Sequence, residues 1–201
     1  MGERTYHDPL HGAIRLDRTD PAEALAIDLI DSAPFQRLRR IRQLGTAFLT
    51  FHGAESSRFT HSIGVLHVAR LALNNLVRLH PELEIHRGVL LAAALLHDVG
   101  HGPLSHSGEE MYGLQHESWS GRLIREHPAL RDRLEAFQSG SSEAVADLLE
   151  HGRYSCSAIK ALVSSQMDCD RLDYLLRDSH STGTSYGQLD LERILAAFTL
   201  A

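Results

Sequence analysis

Residues 95–110 read LLHDVGHGPLSHSGEE: an apolar run ends in His97 and Asp98, and His101, His106 and Glu109 follow at short intervals. Imidazole and carboxylate together suit a divalent first-row metal. Two ligands make a weak site, so further donors must come from elsewhere. His61, in RFTHSIGV, is one candidate, and Asp170, in SQMDCDRLDYLLRD, is another. From Asp170 onward, Asp173 or Tyr174, Arg177 and Asp178 share roughly one helix face, with Cys169, Leu172, Leu175 and Leu176 opposite. A lone histidine beside an apolar helix is more often a hydrogen-bonded core or surface residue. The ordered set H…HD…D, with three more proton-handling groups beside the pair, is harder to dismiss. Histidine is also abundant, at 14 of 201 residues.

Neighbours on a regular helix diverge by about 100°. His97 and Asp98 therefore reach a shared target most easily at a helix end. The apolar pattern supplies that end: Ile85–Asp98 is apolar nearly all round, a central buried helix with Gly100 as its natural C′ residue. Arg58–His80 is a long helical pattern that Pro81 stops. Helices are also expected over 22–31, over 33–43 (Phe35, Leu38, Ile41 and Leu44 recurring inward), and over 107–112, 117–126, 131–137, 142–149 and 157–177. Thr46–Phe51 suggests a brief extended piece. The N-terminal YHDPLHGAIRLD suggests a loop with at most one short strand pair. The class is all-α, one compact helical domain over residues 1–201. A last amphipathic helix, Leu189–Leu200, carries Leu189, Leu191, Ile194, Leu195 and Phe198. With little sequence after it to cover them, these residues imply self-association, or a fragment whose remainder packs there.

Composition bounds the partners. Hydrophobic residues are 43% and charged residues 23%, ordinary for a globular domain. A net charge of −6 gives no support to broad nucleic-acid binding. The longest apolar run, Val89–Leu96, is too short to span a bilayer. No signal peptide is visible, and two cysteines do not suggest a disulfide framework, so a reducing cytoplasm is the expected compartment.

The segments DPLHG (8–12), IDSAPFQRLRRIRQLG (30–45), RFTHSIGV (58–65), LLHDVGHGPLSH (95–106), HE (116–117) and MDCDRLDYLLRD (167–178) resemble the HD-domain metal-dependent phosphohydrolases. Among these the chain looks most like the deoxynucleoside triphosphate triphosphohydrolases. The resemblance implies a divalent metal held by His61, His97, Asp98 and Asp170. It implies acid–base work by His106 and Glu109, and phosphate contact or proton supply by His101 and His116. Arg58 and Arg171 match cations near the triphosphate, with Arg at 171 where the family usually has Lys. Gln43, Leu44, Tyr174 and Asp178 match the deoxyribose pocket, Tyr174 crowding a 2′-hydroxyl and Asp178 accepting from the 3′-hydroxyl. Asp31, Gln36 and Arg39 match a guanine-nucleotide activator site, although His7 replaces the asparagine usual before Asp8-Pro9. Homo-oligomers are the family's habit. Family members generally continue well beyond this length, which reduces the phosphate clamp if the chain ends here.

Three readings follow. One is hydrolysis of deoxynucleoside triphosphates to deoxynucleoside and inorganic triphosphate. Another keeps the metal but takes a different nucleotide or phosphate ester. The third is a non-catalytic nucleotide-binding sensor or subunit.

Overall fold

A computed structural model describes residues 2–113 and 115–200. An N-terminal hairpin pairs β1 (Glu3–Asp8) with β2 (Gly12–Asp17) in antiparallel register, Glu3 opposite Asp17 and Asp8 opposite Gly12. Ile14 and Leu16 point to the core, as strand alternation requires. The helices are α1 (Pro21–Ile30), α2 (Ala33–Gln36), α3 (Arg58–Val77), α4 (Arg87–Leu96), α5 (His106–Tyr112), α6 (His116–Glu126), α7 (Pro128–Phe137), α8 (Ser141–His151), α9 (Ser157–Val163), α10 (Cys169–Thr182) and α11 (Leu191–Ala196). The all-α class and the single short strand pair are as expected.

Helix α4 is the hub. Every residue from Gly88 to Leu96 is buried, and α1, α3, α8 and α9 pack around it. Helix α10 lies against α3. The N-terminal ends of α3 and α10 thus meet the C-terminal end of α4. Side-chain caps set both N-termini: Ser57 Oγ accepts from the Thr60 amide, and Asp168 from the Arg171 amide. No helix is long and apolar enough to cross a membrane among the described residues.

Four local expectations change. The helix expected over 33–43 is a single α turn followed by a 3₁₀ turn, Arg37–Arg40. Phe35, Leu38 and Ile41 recur every third residue, which suits a period of 3.0 as well as one of 3.6. Ile41 is extended, and backbone bonds tie this strip to the entry of α3, Gln43 donating to Ser56 and Arg58 to Ile41. Thr46–Phe51 contains a 3₁₀ turn at Ala47–Leu49 rather than an extended piece. The helix expected over 157–177 is two helices, because Asp168 caps α10 and also accepts from the Ser165 amide. Gly100 is not a left-handed cap. A Cβ there would overlap the His116 carbonyl and the Ser120 amide, so glycine permits α6 to approach the end of α4. The terminal helix packs on α3, with Leu195 buried and Leu189, Leu191, Ile194 and Phe198 half-buried against the core.

Candidate metal centre and its flanking histidine cluster

The three helix ends bring four donor groups together. His61 Nε2 lies 2.9 Å from Asp170 Oδ1, 3.3 Å from His97 Nε2 and 3.7 Å from Asp98 Oδ2. His97 Nε2 lies 3.5 Å from Asp98 Oδ2 and 3.6 Å from Asp170 Oδ1. Ligands about 2.1 Å from one ion are separated by about 3–4 Å, so the spacing fits a shared divalent cation. The adjacent pair His97–Asp98 manages this because it sits in the turn just beyond α4.

Both imidazoles are oriented from behind. His97 Nδ1 is 2.9 Å from the Ala94 carbonyl, which can only accept, so Nδ1 carries the hydrogen and Nε2 keeps its lone pair. His61 Nδ1 is 2.7 Å from Asp173 Oδ2. Ser120 Oγ braces the His97–Gly100 turn, donating to the His97 carbonyl and accepting from the Gly100 amide.

The electrostatics ask for positive charge at the centre. Burial favours neutral His61, but Asp170 and Asp173 outweigh it and push its pKa up to about 10. Burial likewise opposes ionisation of Asp98, yet His97, Arg58 and His101 hold it well below the ordinary carboxylate range. Asp170 is also lowered against its burial, first by His61 and then by His97. Arg58, itself buried, places Nη1 2.7 Å from Asp98 Oδ2 and Nε 3.1 Å from Ser105 Oγ. A divalent cation would replace the proton on His61 and offset the carboxylates of Asp98 and Asp170. His61, His97 and Asp170 offer ligand atoms that all lie within 4.8 Å of one another and could hold a metal ion; Asp98 lies beside both histidines with its Oδ2 also engaged by Arg58.

A second cluster adjoins the first. His101 Nε2 lies 3.3 Å from Asp98 Oδ1, and its Nδ1 lies 2.8 Å from Glu109 Oε1. The same Oε1 is 3.0 Å from His116 Nδ1, while Oε2 is 3.3 Å from His106 Nδ1. These atoms are close enough together for a second ion. His101 and His116 stack nearly parallel, centroids 3.8 Å apart. The arrangement suits proton handling. Burial lowers His101 to about 4, so it is neutral at pH 7, whereas Glu109 is held below its usual value despite burial, chiefly by His116 and His101. His106 is the exposed member.

The residues matched to substrate binding lie on three segments near this centre. Gln43 and Leu44 follow the 3₁₀ turn, Arg58 opens α3, and Arg171, Tyr174 and Asp178 lie along α10. Gln43 Oε1, Arg171 Nε and Asp178 Oδ1 are each buried with no hydrogen-bond partner among the described residues. Burial raises Asp178 to about 6. The residues matched to an activator are engaged locally. Asp31 pairs with Arg4, Gln36 accepts from Arg39 at 2.7 Å, and the Arg39 guanidinium lies 3.6 Å above the Phe59 ring. A cleft of about 200 Å³ is lined by His97, His116, Asp168 and Asp170. On the other side of His116, a cavity of about 320 Å³ is lined by His101, Glu109, Tyr112 and Trp119.

Sequence reasoning gave no role to Ser105, Ser120 or His11. The first two brace backbone, and nothing in their spacing announces it.

With this geometry established, the chain belongs to the HD-domain family: the family model for the HD domain matches residues 58–178, from Arg58 to Asp178. It is 43% identical over 194 residues to the uncharacterized Bacillus subtilis protein YwfO, covering 96% of this chain and 43% of that protein. It is 30% identical over 228 residues to the deoxynucleoside triphosphate triphosphohydrolase SAMHD1 of Gallus gallus, covering 96% of this chain and 36% of that protein. A solved structure of a phosphohydrolase from Bacteroides thetaiotaomicron superposes with a TM-score of 0.81 at 31% identity, over 98% of this chain and 47% of that one. The chain thus spans less than half the length of these relatives.

Proposed function

We propose that this protein is a metal-dependent phosphohydrolase that cleaves deoxynucleoside triphosphates to deoxynucleoside and inorganic triphosphate. The observation that carries the proposal is the four-donor centre opening directly onto an acid–base cluster, with Asp98 facing both. His61, His97, Asp98 and Asp170 would hold the divalent ion, which polarises a phosphoryl oxygen and a bound water when present. Arg58, already beside Asp98, offsets negative charge on the α-phosphate. Water attacks the α-phosphorus and the bond to the 5′-oxygen breaks. His106, backed by Glu109, stands at the attacking side and takes a proton from the water, His116 supplies one to the leaving 5′-oxygen, and neutral His101 contacts the phosphates. Arg171 reaches the outer phosphates. Gln43, Leu44 and Tyr174 enclose the sugar, and Asp178 takes the 3′-hydroxyl. The unpaired polar atoms on Gln43, Arg171 and Asp178 support that placement, because buried polar groups in native proteins generally have partners.

Metal-loaded protein should be incubated with each deoxynucleotide and ribonucleotide, singly and in mixtures, and the products separated. Inorganic triphosphate from deoxynucleotides alone supports the proposal. Monophosphate or orthophosphate as product replaces it with another phosphate ester as substrate, and tight binding without turnover replaces it with a sensor. The mixtures also test a guanine-nucleotide activator at Asp31, Gln36 and Arg39, which would have to draw Asp31 away from Arg4. Light scattering over a dilution series tests homo-oligomerisation.

A further inference from the structure

The metal centre has an unexpected neighbour: the tip of the N-terminal hairpin. Asp173 is completely buried one helical turn beyond Asp170, and each of its oxygens is claimed twice. Oδ2 accepts from His61 Nδ1 at 2.7 Å and from Arg177 Nε at 2.8 Å. Oδ1 accepts from Arg177 Nη2 at 3.0 Å and from His11 Nε2 at 2.6 Å. Arg177 in turn places Nη1 3.0 Å from Asp8 Oδ2. Asp8 Oδ1 closes the chain of contacts, accepting from the Leu10 and His11 amides and so shaping the turn that carries His11. Helix α3 makes room for all of this at Gly64, where a Cβ would overlap both Asp173 Oδ1 and Arg177 Nη2.

We infer that Asp173 is a positioning residue for the metal centre, fixing the His61 ring so that Nε2 faces the cation, and that the hairpin turn Asp8–His11 together with Arg177 holds Asp173 in place. A carboxylate behind a ligating imidazole fixes tautomer and orientation, and removing such a partner typically weakens metal affinity about 10–100-fold. The particular feature here is that the partner is secured from another element, some 160 residues away in sequence. DPLHG and HSIG are then parts of the metal site, although neither His11 nor Gly64 touches the ion. This inference rests on the metal reading proposed above.

The test is equilibrium dialysis of the apo chain against Co(II) and Zn(II), with the Co(II) absorption spectrum and long-range nitrogen NMR of the Zn(II) form. In the wild-type chain, His61 should carry its hydrogen on Nδ1 and bind through Nε2. Asp173→Asn should lose about 10–100-fold in affinity and show an altered Co(II) spectrum. His11→Asn should lose less, and Asp173→Glu should not restore the wild-type spectrum. Should Asp173→Asn fail to fold, His11→Asn and the wild-type tautomer still decide the matter. Ligation of His61 through Nδ1, or wild-type affinity and spectrum in a folded Asp173→Asn, overturns the role of Asp173. Unchanged affinity in His11→Asn overturns the role of the hairpin. A wild-type chain whose cation uptake is indifferent to His97→Ala and Asp170→Ala brings down the metal reading itself, a distinguishable result.

Discussion

The metal centre and the histidine cluster share a wall at Asp98 and His101 but are built in different ways. Donors of the first come from the ends of three packed helices, and His61 and Asp98 are buried. The second hangs mainly on the loop after α4 and on the short helix α5. Leu104 and Ser105 there adopt positive φ values, 68° and 51°, which non-glycine residues seldom do. His106 is largely open to solvent. Charges in the first region are locked by mutual attraction in a desolvated space. Groups in the second are held by a strained loop that substrate can still reach. The first is suited to keep an ion, the second to move protons, and damage to each should read out differently.

The largest effect should come from Asp98→Ala. It removes a proposed metal donor and strands the buried Arg58 guanidinium, whose Nη1 now pairs with Asp98. Breaking a buried ion pair from one side costs about 3–5 kcal/mol. Metal retention should vanish and the denaturation midpoint should fall together. Full metal content in the purified variant would show that Asp98 belongs with Arg58 and not with the ion.

His106→Ala and Glu109→Ala come next. Turnover should fall about 10²–10⁴-fold, the scale of a positioned acid–base group, while metal content stays at the wild-type level. That separation of chemistry from metal retention is the contrast between the regions in its plainest form. Loss of metal in either variant would merge them into one site.

A smaller effect is expected at Ser105, which ties the strained loop to the entry of α3. Its hydroxyl donates to the Arg42 carbonyl at 2.8 Å and accepts from Arg58 Nε at 3.1 Å. Ser105→Ala should cost about 1–3 kcal/mol of stability through the Arg58 donor left unpaired. Thermal unfolding of the apo chain measures it, and an unchanged midpoint would mean that the loop stands without this tie.

Much of the centre was legible because metal chemistry restricts donors to few residue types and helix periodicity places them. The order of His61, His97, Asp98 and Asp170 and their places at helix ends marked them as candidates, and the family resemblance joined them into one ligand set. Asp173 was visible as a member of the Asp170 face but not as the group behind His61, since a carboxylate on a polar helix face ordinarily meets water. His11 was less legible still. It lies in a turn-forming segment, and only the hairpin's docking puts it 2.6 Å from Asp173. The breaks in the expected helices over 33–43 and 157–177 were hidden for a local reason. Apolar residues every third position fit two helix types, and a capping aspartate inside a helical pattern looks like one more surface charge.

The smallest expected effect concerns Asp178, and pH exposes it. Burial raises this carboxyl from 3.8 to about 6. Its folded-state pKa lies above the unfolded one, so the folded chain binds the proton more tightly, and apo stability attributable to this group falls as pH rises from about 4 through about 6. Substrate binding runs the other way. Only the ionised carboxylate is a strong acceptor for a 3′-hydroxyl, so KM for a deoxynucleoside triphosphate should fall as pH passes upward through 6. Hydrogen bonds to charged groups exceed neutral ones by about 1 kcal/mol, which is roughly fivefold in KM. The triphosphate itself titrates near this range, and two controls remove that contribution. Asp178→Asn should flatten the excess dependence, and a 2′,3′-dideoxy substrate should lack it in the wild-type protein. The same pH dependence with and without the 3′-hydroxyl would take Asp178 out of sugar recognition, while leaving the metal centre and the proton-handling cluster untouched.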